Sequence, residues 1–140
     1  MKIVVGHDGS KEADQALIKA AELAEKLSGS LTIVSAIPDL CLSSEEITPE
    51  SCDYVSEALH AEARGLMGKV MGGLQAKGLA AGLVVRDGRP AEVLVAAAKE
   101  LGADLVVVGS TGKHGASRFF MGSVSTKVAE HAPCSVYIVR

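Results

Sequence analysis

Between Leu105 and Ala129 the sequence holds no aspartate or glutamate, yet it carries Lys113, Arg118 and Lys127 together with His114. Gly109, Gly112, Gly115 and Gly122 punctuate the same stretch, interleaved with Ser110, Thr111, Ser117 and Ser123. Glycines let backbone N–H groups converge on an anion with no Cβ in the way. Ser123 stands where a helix is expected to begin, and the reading makes it the cap. A helix start adds unpaired N–H groups and the positive end of the dipole. Together these features build a phosphate site. A surface loop whose glycines merely turn the chain is the plainer alternative, and it leaves the missing carboxylates unexplained.

A second stretch has the opposite character. Asp8, Glu12 and Asp14 crowd the start of the first expected helix, so phosphate is repelled there. A carboxylate at Asp8 could accept hydrogen bonds from ribose hydroxyls or from an amino group on a base. Taken alone, Asp8 reads as a turn residue bonding its own backbone. An anion-binding end and a hydroxyl-binding end at one crevice suggest a nucleotide.

The elements that must bring these two loops together follow from periodicity. Short β-branched runs at Lys2–His7, Leu31–Ile37, Leu83–Arg86, Leu105–Val108 and Ser135–Val139 read as strands. Between them lie helical patterns at Glu12–Leu27, Glu50–Lys77, Ala91–Leu101 and from Ser123 to a stop at His131-Ala132-Pro133. Ser10 is the expected cap of the first. Gly65, Gly68, Gly72 and Gly73 weaken the end of the second. Pro38 to Pro49 is polar and irregular, long enough for a lid or mobile loop. Strict alternation predicts an α/β fold: a doubly wound five-stranded parallel sheet in the order 3-2-1-4-5, helices on both faces, in one domain over 1–140. In that order the chain reverses between the first and fourth strands, and ligands bind outside the carboxyl ends there. Those ends are the two loops singled out above.

Composition narrows the classes. The chain has 140 residues, 48% apolar and 22% charged, which suits one globular domain and excludes disorder. Aromatics are 3% and there is no tryptophan, so the core must be aliphatic. A net charge of −3 argues against nucleic-acid binding by overall field. The longest apolar runs, such as Val93 to Ala98, fall far short of the ~18 residues that suggest a membrane span. No leader core fits the first residues, so the protein is expected to be soluble and cytoplasmic. Cys41, Cys52 and Cys134 are accordingly expected as reduced thiols, Cys134 in the core, with a redox pair of Cys41 and Cys52 as the alternative. His7, His60, His114 and His131 stand at no metal-ligand spacing with a cysteine. His60 is placed on a solvated helix face, His131 at a helix end, and Arg89 at the surface. A phosphoacceptor receiver would need clustered acids after the first strand, and Asp8 stands alone there. No Walker A lysine, nucleophile elbow or Cys-His-Asp set appears.

Three stretches resemble the universal stress proteins: Val4-Val5-Gly6-His7-Asp8-Gly9-Ser10, Asp104-Leu105-Val106-Val107-Val108-Gly109-Ser110, and His131-Ala132-Pro133-Cys134-Ser135-Val136-Tyr137-Ile138-Val139. Gly88-Arg89-Pro90 is similar to the family's turn before its third helix. The ATP-binding branch carries a glycine, two residues, a glycine, nine residues, a glycine and a serine or threonine. Gly109, Gly112, Gly122 and Ser123 meet every spacing. The resemblance implies that Asp8 binds the adenosine end with Gly6 and His7 beside it, and that Ala36 offers backbone groups to the base. It implies that Val108, Gly109 and Gly112 line the ribose and phosphates, and that Gly122, Ser123 and Val124 hold the phosphates. It implies Mg2+ or Mn2+ accompanying ATP, and a homodimer through residues 134–140. His7 departs from the small apolar residue more common there.

No general base is evident beside the phosphates, and efficient hydrolysis needs a positioned water. The expected function is a nucleotide-dependent stress sensor or regulator with a protein partner of unknown identity. A nucleotide-free adaptor, or a slow ATP hydrolase or autophosphorylating protein, are the alternatives.

Overall fold

The structure, a computed structural model, describes residues 1–39, 41, 47–111 and 121–140. The order is β1 (Lys2–Gly6), α1 (Lys11–Lys26), β2 (Ser30–Ile37), α2 (Pro49–Ala76), β3 (Gly82–Asp87), α3 (Pro90–Leu101), β4 (Leu105–Gly109), α4 (Ser123–His131) and β5 (Ser135–Val139). The strands form one parallel sheet in the order β3-β2-β1-β4-β5. This is the doubly wound arrangement expected from the alternation.

Side chains alternate across a strand, so each strand feeds two cores. Ile3, Val5, Leu31, Ile33, Val107 and Val139 point to one face, against the alanine-rich side of α1 and against Met67 and Leu74 of α2. Val4, Val34, Val106 and Val108 point to the other, against α3 and Val128 of α4. A central strand buried on both faces needs consecutive apolar residues, which is why β1 carries Ile3-Val4-Val5 and β4 carries Leu105-Val106-Val107-Val108. The alanines at 13, 16, 20, 21 and 24 are all buried and let α1 approach the sheet closely.

Some local expectations are corrected. α2 runs through all 28 of its residues without a break. A Cβ at Gly65, Gly68, Gly72 or Gly73 would meet nothing within 4 Å, so these glycines face open space and the packing of Met67 and Leu74 carries the helix through them. Thr48 caps α2, with its hydroxyl accepting from the Ser51 N–H, and Pro49 is its first residue. Residues 40 and 42–46 of the expected irregular stretch lie outside the described residues. α4 is capped by Gly122, and Ser123 is its first helical residue rather than its cap. His60 is half-buried and faces Asp87 at 2.9 Å, so it does not lie on a freely solvated face. Cys134 is half-buried against the α3–α4 core. No described helix is long and apolar enough to cross a membrane.

Candidate functional site

The β1–α1 turn is built around a buried imidazole. His7 has a side chain only 1% exposed. Its Nδ1 accepts the Gly9 N–H at 3.1 Å, which leaves the proton on Nε2, and Nε2 donates to Asp14 Oδ1 at 3.0 Å. Both ring nitrogens are thus engaged within the turn, so any contact His7 makes with a ligand comes from its backbone. Gly9 has φ +85°, the left-handed conformation the turn requires. The Ser10 N–H donates to Asp8 Oδ1 at 2.9 Å, and the Ser10 hydroxyl accepts from the Ala13 N–H at 3.1 Å. The turn role of Asp8 is therefore real, and the same residue lines the cleft described below. With a serine cap and with Glu12 and Asp14 in its first turn, the start of α1 is closed to anions.

The β4–α4 connection is built the other way. Ser110 donates its N–H to Val139 O at 2.8 Å. Its carbonyl accepts the Gly122 N–H at 2.6 Å and the Ser125 hydroxyl at 2.9 Å. The two ends of the glycine loop are clasped by these bonds, while residues 112–120, including Gly112, Lys113, His114 and Arg118, lie outside the described residues. Gly122 supplies no side-chain cap and α4 has no acid in its first turn. The opening N–H groups of a helix have no partner within the helix itself. At α1 the Ser10 hydroxyl accepts one of them and two carboxylates stand in the first turn, whereas at α4 no side chain among the described residues caps them.

These two turns meet in one cleft of about 570 Å³ at the carboxyl ends of β1 and β4. That is within the range of about 300–1,000 Å³ for small-molecule sites. Gly6, His7, Asp8, Ala36, Val108, Gly109, Gly122, Ser123 and Val124 all line it, so every expected site residue among those described converges there. The walls divide by chemistry. One end is mostly apolar, formed by Val34, Ala36, Ile37 and Pro38 at the end of β2 and by Leu59, Ala63 and Leu66 of α2, with Ser35 and Glu62 beside them. The other end holds Gly122, Ser123, Val124 and Ser125 at the start of α4.

Sequence reasoning missed the α2 wall, Glu62 included, and also Leu94 of α3. The periodicity of α2 shows that it has an apolar stripe, but only the packed sheet shows that part of the stripe faces a cleft. Ser125 was also missed. It is 2% exposed and its hydroxyl holds both Ser110 O and Gly122 O, so it fixes the clasp from behind. Among the described residues no group of three or more histidine, cysteine, aspartate or glutamate side chains gathers to hold a metal ion.

The expectation of three reduced thiols is overturned. Cys41 and Cys52 are joined as a disulfide, with Cα atoms 5.7 Å apart, because α2 folds its first turn back beside the end of β2. Cys134 is free; burial pushes its thiol up, and the Asp104 carboxylate pushes it the same way.

Residues 1–140 match the Universal stress protein family. A putative universal stress protein of Staphylococcus haemolyticus is 33% identical over 144 residues, covering 99% of this chain and 83% of that protein. The universal stress protein UspA from Lactobacillus plantarum superposes with a TM-score of 0.86 at 28% identity, over 100% of this chain and 97% of that one. A universal stress protein solved in complex with cAMP superposes with a TM-score of 0.66 at 26% identity, over 100% of this chain and 97% of that one. Fold and sequence agree, and the chain belongs to the universal stress protein family.

Proposed function

We propose that the cleft binds an adenine nucleotide, ATP in particular, and that the protein is a nucleotide-dependent regulator rather than an efficient hydrolase. The observation that carries the reading is the contrast between the two helix starts that meet in one cleft. α1 is capped and acidic, whereas α4 has no side-chain cap and no acid in its first turn. Phosphates then sit at Ser123 and Val124, and the base lies between the end of β2 and the α2 wall. Asp8 receives hydroxyl or amino groups from the nucleoside. The relative solved with cAMP supports an adenine nucleotide in this fold. Magnesium or manganese carried with ATP would be held mainly by the phosphates, given the few ligating side chains gathered among the described residues. Two observations test the reading: chromatography of small molecules released from denatured, freshly purified protein, and calorimetric titration with ATP, AMP, cAMP and adenosine. Absence of binding by all four would overturn it.

Asp8→Ala is expected to weaken adenosine and ATP alike, each by about tenfold, the scale of one charge-assisted hydrogen bond. Asp8→Asn keeps an acceptor for the Ser10 N–H and so separates the turn role from the ligand role. If Asp8→Ala weakened only ATP, the orientation would be reversed.

The regulator reading also includes a homodimer through residues 134–140. β5 is at a sheet edge, and an apolar edge of this kind invites pairing. Tyr137 is 40% exposed there. A two-fold axis makes an antiparallel contact between copies self-complementary. Light scattering of the wild type at micromolar concentration should give twice the chain mass, and Val136→Pro should give a monomer. A monomeric wild type ends the idea, and a dimer indifferent to the proline moves the interface elsewhere.

A further inference from the structure

The disulfide lies where it can act on the cleft. α2 has two buried residues, Met67 and Leu74, and both sit in its C-terminal half. Its N-terminal half, from Pro49 to Leu66, has no buried residue. Leu66 packs against the core at the far end of that stretch; nearer the start of α2, two side-chain links among the described residues tie it to the sheet side of the molecule: Cys52 to Cys41, and His60 Nε2 to Asp87 Oδ1 at 2.9 Å. The same half supplies Leu59 and Leu66 to the wall of the large cleft. Cys41, Cys52 and Leu59 also line a second cavity of about 230 Å³ that shares Ile37 and Pro38 with the first.

A structural staple explains this bond poorly. The core is complete on both faces of the sheet without it, and a domain of this length folds without cross-links. Both cysteines are half-buried, so a small thiol can reach them. Cys134 is the free thiol, and burial and the Asp104 carboxylate push its titration up, away from the thiolate form.

We propose that Cys41 and Cys52 form a reversible redox site for dithiol reductants, and that its state sets how firmly the N-terminal half of α2 closes the wall of the cleft. In the forward direction a thiolate of the reductant attacks one sulfur, the Cys41–Cys52 bond breaks, and the other cysteine leaves as a thiolate that takes up a proton. The second thiol of the reductant then resolves the mixed disulfide. Two cysteine thiols are formed, the reductant becomes a cyclic disulfide, and two electrons and two protons are transferred. An oxidised dithiol runs the reaction backwards. The consequence for nucleotide affinity rests on the reading given under Proposed function. By linkage, a ligand that binds the closed wall more tightly favours the disulfide by the same factor.

The test compares the full chain equilibrated in oxidised and in reduced dithiothreitol. Thiol labelling read by intact mass should give two more labelled cysteines in the reduced form than in the oxidised form, Cys41 and Cys52. Amide hydrogen exchange of residues 49–66 should speed by about tenfold or more on reduction, while β1 and β4 stay unchanged. A Cys41→Ser, Cys52→Ser double variant should match the reduced form and ignore the reductant. ATP affinity should fall by about fivefold or more on reduction, the low end of common site-to-site couplings. The same number of labelled cysteines in both buffers, or identical exchange over 49–66 in both, would overturn the proposal. Loss of ATP binding in both states, with labelling and exchange as expected, would sink the nucleotide reading and leave the redox site standing.

Discussion

Gly122→Val is expected to lower ATP affinity by at least about tenfold while the protein stays folded. Gly122 has φ −66° and ψ 162°, a conformation any residue adopts, so backbone strain is not the cause. Space is the cause. A Cβ there would lie 3.3 Å from Ser110 O and 3.4 Å from Thr111 Cα. Alanine fits with a shift of a few tenths of an ångström. Valine adds two methyl groups, and they have two ways out. One pushes Ser110 away and loosens the 2.6 Å bond from Gly122 N–H to Ser110 O. The other lays a methyl over the opening N–H groups of α4. Either way the proposed phosphate site is lost, and several backbone hydrogen bonds to a charged group exceed the 1.4 kcal/mol that a tenfold change represents, at about 1.5–3 kcal/mol each. The two cores lie elsewhere, so the variant should still fold. Calorimetric titration of the folded variant decides the matter, and unchanged affinity would remove the α4 start from the site.

Gly109→Ala is expected to act on the fold first and on the ligand second. Its Cβ would stand 3.1 Å from Glu12 O and 3.2 Å from Glu12 C, backbone atoms in the first turn of α1. That turn is pinned by the Ser10 cap and the His7–Asp14 bond, so it cannot yield cheaply. Overpacking of this kind costs about 1–3 kcal/mol. In a domain of this size the melting temperature should fall by roughly 4–10 °C. Because the Asp8 turn feeds directly into α1, adenosine should weaken together with ATP. Gly6→Ala is the control. Its Cβ would meet Leu94 Cδ2 at 2.9 Å, the far end of a flexible side chain that can rotate away. Thermal unfolding followed by circular dichroism reads both. Equal melting temperatures for Gly109→Ala and wild type would show that α1 tolerates displacement at Glu12.

The ion pair of Arg86 with Glu100 shows how little the surface adds. The Arg86 guanidinium holds the Glu100 carboxyl below its usual range through a hydrogen bond, and Glu100 holds Arg86 up. Both groups are solvent-exposed, so the pair ties β3 to α3 with little effect on stability.

The strands and helices were legible because a doubly wound sheet imposes strong periodicity. β1 and β4 are buried on both faces and read as unbroken apolar runs, while α1 keeps its alanines on one side. The two loops were legible for a different reason. Charge segregation between 8–14 and 105–129 is a property of the chain itself, and the strand order that brings the loops together follows from the alternation.

What stayed hidden depended on which residues meet across long separations. Propensity suggested that the glycines of α2 would weaken it, but each faces open space and Met67 and Leu74 anchor the helix around them. Ser123 looked like a cap because serine favours that position, whereas the Gly122 carbonyl accepts the Thr126 N–H at 3.0 Å and so begins the helix one residue earlier.

The sequence by itself determined the order of elements, the parallel doubly wound sheet, the anion-friendly and acid-bearing turns, and the family. Each is written in local periodicity, local charge or motif spacing. Long-range packing was needed to show that His7 spends both ring nitrogens inside its own turn, that α2 walls the cleft, and that Cys41 and Cys52 meet. Those outcomes depend on where a helix lands after a long connection. Packing free energy summed over the whole sheet sets that position, and no window of neighbouring residues records it.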